Sequence, residues 1–154
     1  MRHRLLGSKV LVCVVSLGAS ACTQPGVETA VFSDDDVAAV RANLRAFTTS
    51  DPIASPDIFF SQFTDDVFWA PGPDFLATNI QELRDGSWCA TLTNERTVER
   101  VEGSGDLAYA RGTFQLGLDC GDADPEEREG YFLTVHRRQP DGTWRIVTMG
   151  SSNY

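Results

Sequence analysis

Arg111 has a side chain whose chemistry suits the binding of a ligand. Its guanidinium stays charged in proteins and can hold a carboxylate through two parallel hydrogen bonds. Alternation along the strand predicted around it places Tyr109 and Arg111 on the same face. A second interpretation is equally open: Arg111 is an exposed strand residue that pairs with Glu95 or Glu99 across a hairpin.

His136 is a candidate for acid-base chemistry. The unperturbed pKa of an imidazole lies near neutrality, so His136 could act as a general base. It stands at the end of a predicted strand, beside Arg137 and Arg138. We therefore expect a solvated strand end, and a catalytic base is the alternative.

Three helices are predicted to come before the strands that carry these residues. Ser33 followed by three aspartates indicates an N-cap, and apolar residues at spacings of three and four extend that helix to near Ser50. Pro56 suits the first position of a second helix, whose inward residues would be Ile58, Phe59 and Phe63. Thr78 with Gln81 indicates a capping box for the third helix.

A run of strands follows the helices. A short strand is predicted at 67–70, and longer ones at 91–102, 106–118, 131–138 and 143–150, where glycine and proline mark two hairpin turns. Helices followed by antiparallel strands predict an α+β fold in which the helices pack on one face of the sheet.

Cys89 and Cys120 are the two cysteines inside this predicted domain. If the two strands of the first long hairpin pair around Ser104, residues opposite each other have numbers that sum to about 208. The numbers of Cys89 and Cys120 sum to 209. They should therefore be close neighbours at the open end of the hairpin. We expect a disulfide, because exported proteins fold in an oxidising compartment. Closing this loop would raise the free energy of unfolding by about 3 to 4 kcal/mol. Two separate buried thiols are the alternative, and the pair supports no metal site.

The first 21 residues have the features of a secretory signal. Basic residues precede an apolar run at 10–19, which is too short to span a bilayer. Small residues then precede Cys22, where an ordinary cleavage site and a lipoprotein cleavage site both fit. We expect residues 1–21 to be removed, Cys22 to be lipidated and 22–32 to be a tether, so that the protein is exported and anchored to a membrane.

The charge of the remaining chain excludes one class of partner. The 133 residues after the signal hold ten arginines, no lysine and 22 acidic residues, a net charge near −12. Nucleic acid binding needs a basic face, so nucleic acid is not an expected partner. The length suits a single domain at 33–154.

Two segments resemble signatures of the nuclear transport factor 2-like superfamily. Gly105-Asp106-Leu107-Ala108 is similar to its G-D-x-A motif, and the segment from Arg138 through Asp141-Gly142 and Trp144 to Val147 is similar to R-x-x-D-G-x-W-x-I-V. Within this superfamily, the sequence pattern most resembles that of the SnoaL-like domains and of the association domain of calmodulin-dependent kinase II. The resemblance implies a curved antiparallel sheet that forms a cone around the helices and encloses a pocket.

The resemblance also implies roles for individual residues. Arg111 would line the pocket and face an anionic ligand, with Tyr109 on the same face. Trp69 would stand at the pocket mouth or, alternatively, belong to the core. A ketosteroid isomerase-like base would fall at Ala70 or Pro71, where no carboxylate stands.

Three functions remain open on this basis. We expect an anchored domain that binds a small organic molecule, with an anion held by Arg111 as one form of this expectation, and that needs no cofactor or metal. The acidic segment at 119–129 is expected to be a solvated loop rather than a calcium site. The alternatives are a SnoaL-like isomerase, cyclase or hydrolase with Asp74 or His136 as base, and an assembly module that forms a homodimer through its open sheet face.

Overall fold

The structure, a computed structural model, describes residues 31–72, 75–121 and 124–153. The predicted signal, Cys22 and most of the tether lie outside these residues, and so does Asp74. The expectations for them, and the domain boundaries drawn from them, stay predictions. In the described ranges, no helix combines the length and apolar character that crossing a membrane requires.

Three helices occupy the first half of the described chain: α1 (Asp34–Thr49), α2 (Pro56–Ser61) and α3 (Ile80–Arg84). The predicted start of α1 is confirmed, because Ser33 Oγ accepts from the N–H of Asp36 while the Asp36 carboxylate accepts from the N–H of Ser33. The second helix begins at Pro56 as predicted. The third is capped by Asn79 rather than Thr78, because Asn79 Oδ1 accepts from two N–H groups of its first turn.

Six strands form one sheet, in the order β2-β1-β6-β5-β4-β3. Their bounds are β1 (Phe63–Gly72), β2 (Phe75–Ala77), β3 (Ala90–Ser104), β4 (Leu107–Asp119), β5 (Glu126–Arg138) and β6 (Trp144–Asn153). All neighbouring strands are antiparallel except β1 and β6, which run parallel. The expected antiparallel sheet is therefore present with one exception, the parallel pair of β1 and β6. The N–H of Ile146 donates to the carbonyl of Gln62, so the chain enters β1 from the end where β6 also begins.

Two strands are longer than the sequence pattern indicates. β1 begins at Phe63 rather than at residue 67, and β5 begins at Glu126 rather than at residue 131. The acidic segment expected to be a loop is therefore partly a strand, since Glu126 to Glu129 pair with the end of β4. Backbone pairing there outweighs the low strand preference of charged residues on an exposed face.

The β3–β4 hairpin turns tightly at Gly105 and Asp106, with Ser104 opposite Leu107. Gly105 has φ of +58°, a left-handed conformation that glycine adopts without a steric penalty. At the other end of the hairpin, Cys89 and Cys120 form a disulfide, with their Cα atoms 4.4 Å apart. Two register shifts in β3 do not disturb this pairing.

The helices cover one face of the sheet and leave the other open. On the covered face, β4 contributes Ala108, Ala110 and Phe114 to the core, and β5 contributes Phe132. The helices complete this core mainly with aromatic rings and leucine: Leu44, Phe47, Phe59, Phe60 and Leu83. The expectation that Ile58 points inward is wrong. The short α2 turns Phe59 and Phe60 inward and leaves Ile58 exposed.

Asp36 fastens α1 to the sheet. Its Oδ1 accepts from Arg138 Nη1 at 2.7 Å and from Trp144 Nε1 at 3.3 Å. The Arg138 guanidinium also lies 4.7 Å from the centroid of the Trp144 ring. Hydrogen bonding, above all from Arg138, holds the pKa of Asp36 well below its usual value. One carboxylate therefore joins the start of α1 to β5 and β6.

Candidate functional site

A cavity of about 240 Å³ lies between the helices and the covered face of the sheet, near the disulfide-closed end of the β3–β4 hairpin. Residues of α1, α2, β1, β3, β4 and β5 line it, together with the segment that precedes β3. Sites for drug-sized ligands usually have about 300 to 1,000 Å³. This cavity is therefore suited to a more compact molecule.

The walls of the cavity are largely aromatic. Phe47, Phe59, Trp69 and Trp88 all line it, and their rings contact one another. Ring centroids are 5.7 Å apart for Phe47 and Trp69, 5.3 Å for Phe59 and Trp88, and 5.8 Å for Trp69 and Trp88. Trp69 is therefore both a core residue, 6% exposed, and a wall of the cavity. Such walls favour a flat or apolar ligand.

Arg96 brings a positive charge into these apolar surroundings. Its guanidinium carbon lies 4.9, 5.5 and 5.2 Å from the ring centroids of Phe47, Phe114 and Phe132. Its Nε and Nη1 are inaccessible to water and make no hydrogen bond. Burial lowers the pKa of Arg96 to about 10, and no neighbouring charge contributes to that shift. The guanidinium is therefore protonated at neutral pH, and its Nε and Nη1 lack an acceptor among the described residues.

The aromatic rings compensate only part of the cost of burying this charge. A desolvated cation–π contact contributes about 2 kcal/mol, whereas desolvation of an ion costs several kcal/mol. Buried charges in proteins are usually paired. No ion pair of Arg96 occurs within the described ranges. Arg96 is therefore suited to receive an anion from outside the chain.

Two further polar atoms in the cavity wall lack hydrogen-bond partners. Asn94 Oδ1, an acceptor, and Trp69 Nε1, a donor, are both buried without a partner. Asn94 precedes Arg96 by two residues on β3, so both side chains project from the same face of the strand. The cavity wall therefore combines aromatic rings with an amide, an indole N–H and two arginines, Arg96 and Arg128, of which Arg128 pairs with Glu126.

The rim of the cavity is held covalently. Cys89 lines the cavity and is joined to Cys120 at the end of β4. The adjacent Trp88 donates from Nε1 to the carbonyl of Leu83 at 3.2 Å. The disulfide and this hydrogen bond fix the segment that precedes β3, and with it one aromatic wall.

A second, shallower groove lies on the other side of Arg96. Arg41, Arg45 and Arg96 line it together with parts of α1 and β3. Arg41 Nη1 donates to the carbonyl of Val98 at 3.2 Å. In a chain with a net charge of −9, three arginines around one point make the local potential favourable for anions.

Arg111 and Tyr109 lie on the open face of the sheet and do not line the cavity. This placement corrects the one implied by the family resemblance. Ala108 and Ala110 occupy the covered face, so strand alternation directs Tyr109 and Arg111 outward. Arg111 lies 3.6 Å from Glu99, its side chain 53% exposed, and Tyr109 donates a hydrogen bond to Glu102. The alternative interpretation of Arg111, a strand arginine paired across the hairpin, agrees with the structure.

His136 is fully buried, so the expectation of a solvated strand end is wrong. It shares the covered face with Thr134, whose hydroxyl donates to the carbonyl of Ala110. That hydroxyl therefore accepts from His136 Nε2 at 2.9 Å, while Nδ1 has no partner. Burial lowers the pKa of His136 to about 3. The imidazole is neutral and does not line the cavity, so the structure does not bring it to the site.

The described wall of the cavity contains neither a carboxylate nor an imidazole. Among the same described residues, no group of three or more His, Cys, Asp or Glu side chains could hold a metal ion. Asp74, the other proposed base, follows the lining residue Pro71 by three positions but lies outside the described residues. The described part of the site supplies aromatic walls and polar groups that suit the binding of a molecule.

Sequence reasoning missed Arg96 and Asn94, although a signal for them existed. The predicted hairpin register, with numbers that sum to about 208, places Arg96 opposite Gly112, whereas the structure pairs Arg96 with Phe114, two positions further along β4. Directly opposed residues share a face, as do residues two positions apart on one strand, and alternation along β4 places Gly112 and Phe114 on the face opposite to Arg111. That register places Arg96 and Arg111 on opposite faces of the sheet, and the packed structure shows that the face of Arg96 is the inward one.

Solved structures with the same architecture are known. One is a scytalone dehydratase-like protein from Novosphingobium aromaticivorans, with 13% sequence identity over 78% of this chain and 85% of that chain, and a TM-score of 0.67. Another is a nuclear transport factor 2-like superfamily protein from Salmonella enterica serovar Typhimurium, with 13% identity over 74% and 87% of the two chains and a TM-score of 0.60. This chain has the nuclear transport factor 2-like fold. The predicted α+β class and cone architecture are confirmed.

A third protein with the nuclear transport factor 2-like fold is a ketosteroid isomerase-like protein from Erwinia carotovora atroseptica. It has 19% identity over 83% of this chain and 97% of that chain, with a TM-score of 0.62. Neither a protein-family model nor a curated protein matches the sequence. At these identities the similarity establishes the fold, and the function must be argued from the cavity.

Proposed function

We propose that this protein binds a small organic anion in the cavity, with Arg96 as the counter-charge. The observation that carries the proposal is the guanidinium of Arg96, protonated at neutral pH, whose Nε and Nη1 are buried and have no hydrogen-bond partner among the described residues. A carboxylate would satisfy its N–H groups and neutralise its charge in surroundings of low polarity, where charge-assisted hydrogen bonds are strong. The isomerase-like and dehydratase-like names of proteins with this fold support a small-molecule site.

The location of the protein belongs to the same proposal. A signal at residues 1–21 and an acylated Cys22 would place the cavity outside the cytoplasm, on a membrane surface. The disulfide at the rim supports an oxidising compartment. Intact-mass measurement of the full chain expressed in a bacterium tests this part, since an acyl mass on Cys22 is expected and an unmodified Cys22 would contradict it.

Titration of the purified protein with small carboxylates tests the binding site. Benzoate and short fatty acids serve as probes, and the fluorescence of Trp69 and Trp88 reports occupancy of the cavity. We expect Arg96→Gln to weaken binding at least about a hundredfold, because it removes the charge from a desolvated pair worth about 3 kcal/mol or more.

Arg111→Gln is the matched control, since it removes the same charge from the open face. Binding in this variant should equal that of the unchanged protein. Equal binding in the Arg96 variant, or loss of binding in the Arg111 variant, would contradict the proposed site.

An enzyme remains the alternative if Asp74 completes the cavity. The position of Asp74 three residues after Pro71 is the observation that favours it. Asp74→Asn would then abolish proton exchange at the acidic carbon of a bound ketone, measured by NMR in deuterated water, and would leave carboxylate binding intact. Exchange that is absent in the unchanged protein would exclude this alternative for the ketones tested.

A homodimer formed through the open face is the remaining proposal. Four apolar side chains on or beside that face are between 44% and 58% exposed: Phe68, Leu107, Tyr131 and Leu133. An apolar surface of this kind is common at interfaces between copies of a protein. Light scattering after gel filtration should give a dimer mass for the protein and a monomer mass for Leu133→Glu. A monomer mass for the unchanged protein would contradict the homodimer.

A further inference from the structure

We propose that the groove between α1 and β3 is a second binding site, which takes a phosphate group with two negative charges. Six residues of these two elements line its volume of about 250 Å³: Arg41, Leu44, Arg45, Thr48, Arg96 and Val98. The inference goes beyond the proposed function, because it concerns another site and does not require that the aromatic cavity bind anything.

The distribution of arginines without a carboxylate partner points to this groove. Six of the ten arginines between residues 31 and 153 form ion pairs. The four that form none with the described residues are Arg41, Arg45, Arg84 and Arg96, and three of these four line the groove. In a chain with 22 acidic and 13 basic residues, such arginines would be expected to find carboxylates rather than one another.

The α1 side of the groove carries two like charges at close range. Arg41 and Arg45 are four positions apart on the helix, so their Cβ atoms are separated by about 5 to 6 Å. Like charges at this spacing destabilise a helix, and no acidic residue stands between positions 37 and 49 to offset them. A bound anion would remove this repulsion.

The guanidinium of Arg41 is held in place and still has donors to spare. Its Nη1 donates to the carbonyl of Val98 at 3.2 Å, which ties the side chain to the opposite wall. Its Nε and Nη2 have no hydrogen-bond partner among the described residues. Arg45, one turn further along α1, is exposed. Two neighbouring guanidinium groups can therefore donate to one anion.

Arg96 contributes charge to the groove rather than hydrogen bonds. Its Nε and Nη1 are inaccessible, but the field of a buried charge is screened less than that of an exposed one. Three positive charges around a small volume favour a doubly charged group over a carboxylate. A phosphate monoester or inorganic phosphate carries up to two negative charges and several strong acceptor oxygens. The described lining includes no aromatic ring, so the ligand needs no flat body.

A comparison of anions at equal ionic strength tests the preference for a phosphate group. Inorganic phosphate, acetate and chloride are titrated by calorimetry into the full chain at about pH 8, where phosphate is a dianion. We expect phosphate to bind at least about tenfold more tightly than acetate, because its second charge meets a second guanidinium. Phosphate that acts no more strongly than chloride would overturn the site.

Three variants assign the binding to the groove. Arg45→Gln and Arg41→Gln should each weaken phosphate binding at least about fivefold, through the loss of one charge-assisted donor group. Arg84→Gln is the matched control, because Arg84 also lacks an ion pair among the described residues but lies over the Phe60 ring, outside the groove. Phosphate binding that persists in Arg45→Gln, or that falls equally in Arg84→Gln, would contradict the proposal.

Stability does not confuse this test. Arg41→Gln loses the hydrogen bond to Val98 and could unfold, whereas Arg45 is exposed and forms no ion pair with the described residues. Arg45→Gln therefore tests the site even if the Arg41 variant fails to fold. Circular dichroism establishes that each variant used is folded.

Two further probes identify the source of the phosphate group. Glycerol 3-phosphate is a soluble monoester, and vesicles that contain phosphatidic acid offer a monoester on a lipid surface. Sedimentation with these vesicles is compared for the unchanged protein and Arg45→Gln, in which any lipid anchor contributes equally. Arg45-dependent binding of one probe alone names the source, and binding of neither overturns the proposal.

The outcomes also separate this site from the proposed function. If benzoate fails to bind while phosphate binds through Arg45, the proposed cavity ligand is wrong and the groove stands. If benzoate binds through Arg96 while phosphate binding does not depend on Arg45, the cavity stands and the groove is overturned. Benzoate affinity should be nearly the same in Arg45→Gln as in the unchanged protein, since Arg45 does not line the cavity.

Discussion

Arg96 and Arg111 lie on the same hairpin, on opposite faces of the sheet, and their surroundings differ in almost every respect. Arg96 is surrounded by phenylalanine rings and has no carboxylate partner in the described chain, whereas Arg111 is half exposed and lies 3.6 Å from Glu99. A solvated ion pair contributes little and needs no ligand. A buried cation without a partner is costly to the empty protein. The comparison shows that the surroundings of an arginine, more than its type, indicate a binding site.

The largest effect on stability is expected from the disulfide, which closes the end of the hairpin near the cavity. The double variant Cys89→Ala/Cys120→Ala opens a loop with a sequence separation of 31, and its free energy of unfolding in urea should fall by about 3 to 4 kcal/mol. Binding at Arg96 should weaken as well, because the Trp88 wall is released. The unchanged protein treated with a reductant is the control, and unchanged stability in the double variant would show that the cysteines are not joined.

The second prediction concerns His136, which lies on the covered face as Arg96 does. Its folded pKa of about 3 is below the usual value of 6.5, so the unfolded chain takes up the proton first. The contribution of the neutral imidazole to the free energy of unfolding is complete above about pH 6.5 and is lost as the pH falls towards 3. Between these values the free energy of unfolding falls by up to about 1.4 kcal/mol per pH unit.

His136→Gln should remove this slope between pH 7 and pH 5, where most carboxylates stay ionised. Urea unfolding at several pH values measures it, and Arg137→Gln on the open face is the control that keeps the slope. A slope that persists in the His136 variant would contradict a buried neutral imidazole, since the other histidine, His3, lies in the predicted signal.

The third prediction tests the comparison of the two arginines directly. Arg96→Met keeps a long side chain and removes the buried charge, so the free energy of unfolding of the empty protein should rise by about 1 to 2 kcal/mol. Arg111→Met should change it by less than about 0.5 kcal/mol. Thermal unfolding without ligand measures both, and a destabilised Arg96 variant would indicate that an internal anion already pairs with the guanidinium.

The smallest effect on the free energy of unfolding is expected from Asp66 and Arg137 on the open face. Their side chains form an ion pair at 2.7 Å and remain exposed. A double-mutant cycle with Asp66→Asn and Arg137→Gln should give a coupling of about 0.5 kcal/mol in low salt. In 1 M salt the coupling should nearly vanish, because screening is effective at this ionic strength. A coupling above about 2 kcal/mol would mean that this face is covered in solution.

The sequence predicted those features that depend on short-range patterns. The cap at Ser33, the proline at the start of α2 and the pairing of Cys89 with Cys120 follow from local chemistry or from hairpin register, and the structure agrees with them. The parallel pairing of β1 with β6 could not be predicted in this way. It joins segments about 80 residues apart, and their register depends on how the helices pack.

The site was predicted less well because face assignment depends on three-dimensional surroundings. Tyr109 and Arg111 share a face of the sheet, as predicted. Strand alternation alone, however, does not tell which face the helices cover. His136 looks solvated beside two arginines, yet Arg137 and Arg138 pair with aspartates elsewhere while the imidazole faces the core. The assignment of inner and outer faces required the packed structure.

The parallel pair also determines when the domain can fold. β6, the last strand described, lies in the interior of the sheet between β1 and β5, so β1 has no long partner until the end of the chain is available. Contacts of such long sequence separation form slowly. Until β6 emerges from the ribosome, β1 therefore lacks the long strand beside it, a delay that is compatible with the proposed export across a membrane. The order of strands that builds the cavity thus also determines when the cavity can form.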